Sequence, residues 1–238
     1  MISHRLTFAA VLCLSAVALL SAEDKPAAVA KAPAAKGESL FDGKTLGSWK
    51  SADFYKPGEV LVKDACLHIK PGEGKMSGIV WKGKELPKVN YEVTFDAQRV
   101  DGSDFFVGFT FPIKDSPCTL IIGGWGGGLT GFSSIDGSDA SENETTGFLQ
   151  VENGKWYKVR MRVTEQRVDA WVDGNFIAGF DHRDKKVDVR LEVEANRPFG
   201  FATYQTSAAL KDIRFRELTA EEKTAGLAEA DKALKEKQ

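Results

Sequence analysis

Three groups of residues in this 238-residue chain have the types and spacing to do chemistry. The first is Gly123-Gly124-Trp125-Gly126-Gly127-Gly128, where glycines clear the space around one indole. A ring left accessible in this way stacks against the C–H face of a sugar, and bare backbone beside it lets a ligand come close. A glycine-rich bend anchored by a core tryptophan is the plain alternative. The second is the acidic segment from Asp136 to Thr145, long and polar for a strand connection. Its Asp136, Asp139, Glu142, Asn143 and Glu144 suit sugar hydroxyls, or a hard cation such as calcium, although not with EF-hand spacing. A solvated loop has the same composition. The third is Asp188, Arg190, Glu192 and Glu194, which alternate along a segment with strand periodicity. Neighbours on one face of a strand stand about 6.5–7 Å apart. Glycosidases hold their two carboxyls about 5–9.5 Å apart, with one pKa raised by its surroundings. Glu192 and Glu194 are therefore the candidate acid and base, against a solvent-facing ladder balanced by Arg190.

Other chemistries find less support. Gly126, Gly128 and Gly131 satisfy a G-x-G-x-x-G spacing, but Phe132 to Gly137 does not open the helix that a dinucleotide site requires. No G-x-S-x-G occurs, and His68 and His182, far apart in sequence, give neither a triad nor a zinc spacing with Cys66 and Cys118. No metal or cofactor is expected, apart from calcium at the acidic loop. Lys and Arg number 32 against 34 Asp and Glu, with no basic run, which argues against a nucleic-acid partner.

The elements that must position these groups are strands. Period-two alternation marks Tyr91 to Asp96, Trp156 to Val163, Val168 to Val172 and Val187 to Glu194. Turn signals separate such runs at Asp42-Gly43, Asp101-Gly102, Asp136-Gly137, Asn153-Gly154 and Asp173-Gly174. No helical stripe precedes Leu218, so the class is all-β, a two-sheet antiparallel sandwich over 38–218. Thr219-Ala220-Glu221-Glu222 is a capping box that opens a helix over 219–238, with a thin apolar face weakened by Gly226. At the other end His4 and Arg5 precede an apolar run, Leu6 to Leu20, that finishes in Ser21 and Ala22. This has the form of a signal peptide over 1–22, too short for the roughly 20 apolar residues of a membrane span. Residues 23–37, rich in Ala, Lys and Pro, form a flexible linker, and the mature protein is expected to be secreted or periplasmic. In an oxidising compartment Cys66 and Cys118 either pair or remain two free thiols.

From Leu40-Phe41-Asp42-Gly43-Lys44-Thr45-Leu46-Gly47-Ser48-Trp49 to Leu210-Lys211-Asp212-Ile213-Arg214-Phe215-Arg216-Glu217-Leu218, the chain resembles the 3-keto-disaccharide hydrolase domain family. Gly154-Lys155-Trp156 and Trp171-Val172-Asp173-Gly174 fall where that family places similar strands. The resemblance implies a concanavalin A-like jelly roll acting on oxidised or ordinary glycosides. It also exposes departures, since Gly102-Ser103-Asp104-Phe105-Phe106-Val107 replaces a Gly-Asn-Ser-Gly-Ile-Phe-like strand. Near the end, Gly200-Phe201-Ala202-Thr203-Tyr204 puts Tyr204 at the family's His position, which makes Tyr204 a substrate-binding candidate. Three functions remain open: an exported saccharide-recognising jelly roll, an active 3-keto-glycoside hydrolase or lyase, and a non-catalytic scaffolding module.

Overall fold

The computed structural model describes residues 37–235; the expected signal peptide and most of the linker lie outside them. The strands in chain order are β1 (Glu38–Ser39), β2 (Trp49–Ser51), β3 (Val60–Lys63), β4 (Cys66–Ile69), β5 (Met76–Trp81), β6 (Tyr91–Asp101), β7 (Val107–Ile113) and β8 (Ser116–Gly124). They continue as β9 (Leu129–Ser133), β10 (Gly147–Phe148), β11 (Trp156–Val163), β12 (Arg167–Val172), β13 (Asn175–Asp181), β14 (Gly200–Tyr204) and β15 (Ser207–Glu217). A 3-10 helix spans Leu191–Asn196, and α1 spans Ala220–Lys235.

Two antiparallel sheets face each other. One runs β13-β12-β11-β6-β15-β4-β3, with β1 added on β15; the other runs β10-β9-β8-β7-β14-β5-β2. Alternation decides what lies between them. Val93, Phe95 and Ala97 of β6 meet Phe109, Phe111 and Phe201 from the facing sheet in one buried core. Phe109 and Phe201 stack with centroids 4.6 Å apart, and Trp49 beside them satisfies its indole N–H on the Leu40 carbonyl at 2.9 Å. A buried indole without that acceptor would forfeit its hydration for nothing. Both ends of the domain join the eight-stranded sheet, since Glu38 pairs with Phe215 and α1 follows β15.

The turn signals do what their dihedrals require. Asp173 and Gly174 both have positive φ, +51° and +82°, and close the β12–β13 hairpin as a type I′ turn. The capping box is reciprocal: Glu222 N–H donates to Thr219 Oγ1 at 3.2 Å, and Thr219 N–H donates to the Glu222 carboxylate at 2.9 Å. Gly226, expected to weaken α1, is instead a contact: a Cβ there would stand 2.7 Å from Thr164 Cγ2. Cys66 and Cys118 are free buried thiols.

One element departs from its periodicity. The strand expected over Val187 to Glu194 is a single bridge at Val187, an extended stretch, and then the 3-10 helix. Its burial period is four, not two, with Val189 and Val193 inward and Arg190, Leu191 and Glu192 exposed. The reason is where it lies: it runs beside Ser134 to Asp136 and across the outer face of the seven-stranded sheet, with no strand to pair with beyond Val187. Val193 N–H turns back to the Arg190 carbonyl at 3.0 Å, and Pro198 bars continuation of the helix.

Candidate functional site

The outer face of the seven-stranded sheet is built from rows of small side chains. Cys118, Leu120 and Ile122 of β8 point into the core, so Thr119 and Ile121 point the other way. Register places Thr110, Thr119 and Ser133 in one row, and Gly78, Ala202, Gly108 and Ile121 in the next. The Thr110 and Thr119 hydroxyls satisfy each other at 3.0 Å, whereas Ser133 Oγ is buried without a hydrogen-bond partner. The second row admits neighbours closely: a Cβ on Gly108 would lie 2.9 Å from the Phe105 ring. Val189 and Val193 settle on Ala202, and Ala140 of the acidic loop settles beside Ile121, with Phe105 touching both groups. Between these two coverings a cavity of about 350 Å³ remains.

Its walls are aromatic. Phe105 and Tyr204 stack with centroids 6.1 Å apart, and Trp125 forms the rim. Trp125 sits at φ +49° and Gly126 at +87°, in a tight turn between β8 and β9 closed by Gly127 N–H on the Gly124 carbonyl at 3.1 Å. This conformation throws the indole outward, 47% exposed, so it is no core anchor. Asp104 and Arg99 hold the turn. Asp104 accepts from the Phe105 N–H at 2.7 Å and from the Gly126 N–H at 3.4 Å, while Arg99 donates to the Gly127 carbonyl at 3.3 Å.

Arg190 joins the three sequence-predicted groups. Its guanidinium donates to Asp139 at 2.7 Å and to both oxygens of Glu192 at 3.0 and 3.3 Å, and it lies 6.0 Å from the Trp125 ring centroid. Those hydrogen bonds hold Glu192 below the usual carboxylate range and raise Arg190 in return. Trp125, Tyr204 and Glu192 thus line the aromatic cavity, while Asp139, Glu142 and Glu192 line an adjoining polar hollow of about 420 Å³.

The remaining sequence-predicted residues stand elsewhere. Asp136 and Glu144 both grip Lys185 at 3.1 Å. The Asp136 carboxyl is lowered by the Lys186 backbone N–H first and by Lys185 second. Asn143 turns back on its own loop and on β9: its amide donates to the carbonyls of Phe132 at 2.8 Å and Asp139 at 2.7 Å, and its oxygen accepts from the Thr145 N–H at 2.9 Å. Glu194 leaves the cavity to pair with Arg197 at 2.8 Å. That separation follows from the 3-10 helix, where residues two apart point about 240° round the axis instead of along one face.

Asp104, Phe105, Met76, Thr119 and Ser133 line the cavity without having been singled out by spacing. Only the departure at Gly102 to Val107 hinted at the first two. The others are register neighbours from separate strands, and no local pattern reports them. Among the described residues, no group of three or more His, Cys, Asp or Glu is placed to hold a metal ion, and no helix is long and apolar enough to cross a membrane.

A family model for the 3-keto-alpha-glucoside-1,2-lyase-like domain matches residues 36–219, the whole sandwich. The chain belongs to that family. It is accordingly a saccharide-related jelly roll. Among solved structures, it is similar to one reported with endo-acting O-glycanases of the human gut microbiota that initiate mucin breakdown, at 13% identity and TM-score 0.53, over 76% of this chain and 100% of that one. It is also similar to the Crh5 transglycosylase in complex with NAG, at 11% identity and TM-score 0.52, over 78% and 85% of the two chains. At these identities the likeness is one of fold. No curated protein matches the chain.

Proposed function

We propose that this family member recognises a saccharide in the aromatic cavity, as an exported protein of the 3-keto-glycoside hydrolase type. The observation that carries the reading is the half-exposed Trp125 ring on a strained turn, lining the same cavity as Tyr204, Arg190 and Glu192. A pyranose presents an apolar C–H face to such a ring and a belt of hydroxyls to its surroundings. Arg190 donates, Glu192 and Asp104 accept, and Ser133 Oγ offers the floor a hydroxyl that a ligand oxygen would satisfy.

One observation favours catalysis as the second reading. Arg190 keeps Glu192 ionised at neutral pH, which suits a base and not a proton donor. A 3-keto group acidifies the neighbouring C2–H. Removal of that proton by Glu192, with the electron pair expelling the C1 aglycone, is an elimination that needs one base in the cavity and no partner at Glu194.

One calorimetric and kinetic series tests both. Trp125→Ala is expected to weaken binding of a recognised glycan at least about tenfold, in line with the loss of an aromatic stacking platform. A parent protein that binds no glycan on a broad array sinks the recognition reading. Glu192→Gln should abolish turnover of 3-keto-glycosides while retaining binding; unchanged turnover removes Glu192 from the chemistry.

A further inference from the structure

The charges around the aromatic cavity are unequal in a way that selects among sugars. Arg190 contributes its guanidinium, whose charge is already offset by Asp139 and Glu192 through three hydrogen bonds. Asp104 forms no ion pair among the described residues, and its oxygens meet only the backbone N–H groups of Phe105 and Gly126. Arg99, whose charge feels Asp104, is committed to Gly127, Val151 and Asn153. A carboxylate with no direct ion pair, offset only at longer range by Arg99, therefore stands in a cavity lined also by Phe105, Tyr204, Trp125, Arg190 and Glu192.

Aromatic faces carry negative charge density and attract organic cations, most strongly where water is partly excluded. Arg190 already rests 6.0 Å from the Trp125 centroid, so the rim tolerates a cation there. Ring faces and an unpaired carboxylate together describe a seat for an ammonium group, and the same charges repel a uronate or a sulfated sugar.

We propose that the cavity is selective for a saccharide carrying a free amino group, with the ammonium received by Asp104 and the aromatic walls while the sugar ring stacks on Trp125. This rests on the saccharide reading above and narrows its substrate class.

The test is titration calorimetry of the full chain at pH 6 and low salt with three tetrasaccharides of one linkage, built from glucosamine, N-acetylglucosamine or glucose. The glucosamine tetramer is expected to bind about tenfold more tightly than the other two, the size of one charge-assisted hydrogen bond, and to lose that margin as salt is raised. Asp104→Asn keeps an acceptor oxygen for the Phe105 N–H but removes the charge, and should bring the glucosamine tetramer down to the affinity of the other two. Equal affinities in the parent, a margin indifferent to salt, or a margin that survives in Asp104→Asn would each overturn the amino-sugar assignment alone. Absence of binding by all three tetramers would overturn the amino-sugar assignment, and the broad glycan array alone decides the saccharide reading. Should Asp104→Asn fail to fold, the parent's ranking and its salt dependence still decide.

Discussion

At the scale of single residues, the site depends on side chains whose hydrogen bonds are fully committed. Asn143 is the clearest: an intermediate side chain ties the Phe132 and Asp139 carbonyls and the Thr145 N–H into one turn of the acidic loop. Asn143→Ala should cost about 2–3 kcal/mol, since the Phe132 carbonyl and the Thr145 N–H lose the Asn143 amide as partner, and a fall in the urea midpoint without a change in slope would show it. No loss of stability would mean the loop holds its shape by other means. In the sequence, Asn143 and Asp139 are equally good candidates for a ligand hydroxyl. Composition shows that polar groups are present; it does not show that Asn143 turns on nearby backbone while Asp139 reaches Arg190, because that guanidinium comes from a distant segment.

At the scale of elements, strands bounded by Asp-Gly and Asn-Gly turns were legible, because each such strand buries one face and the turn residues supply positive φ. The Val187 to Glu194 segment was not, for alternation predicts a strand only where a neighbouring strand is available to pair. Lying on top of a sheet, the same residues bury every fourth side chain and close as a 3-10 helix. The helix α1 shows the converse, a glycine whose role is tertiary. Replacing an interior helical glycine by alanine ordinarily stabilises by about 1 kcal/mol. Gly226→Ala should not deliver that gain, because the new methyl meets Thr164 Cγ2 at 2.7 Å. Adding Thr164→Ser, which removes Cγ2 and keeps the hydroxyl that accepts from the Arg167 N–H, should restore it in a double-mutant cycle. Full stabilisation by Gly226→Ala alone would show that α1 does not press on Thr164.

At the scale of the whole molecule, stability should fall in two stages on acidification. His182 is buried, its Nε2 lies 3.0 Å from the Thr164 carbonyl, and burial first among its causes holds its pKa below 6.5. The folded state therefore binds fewer protons than the unfolded state as pH drops through about 6.5, and stability declines from there until the folded pKa is passed. Glu222 follows at lower pH. Hydrogen bonds from Arg216 lower it to about 2 from 4.5, so its contribution is present above the unfolded value and is lost between the two. The side chain is about a third exposed, and solvent screening keeps that second loss small. Thermal melts at pH 7.5, 5.5 and 3 read both stages, and His182→Gln should flatten the first. A melting temperature constant from pH 7.5 to 5.5 would count against a buried neutral imidazole.

The placement of β1 and α1 on the eight-stranded sheet also has a practical bearing. Chain enters and leaves through the layer opposite the aromatic cavity. A reporter, bead or solid support joined directly beside β1 or β15 would be coupled to the back of the sandwich, and the front would stay open to large polymers as readily as to short ones.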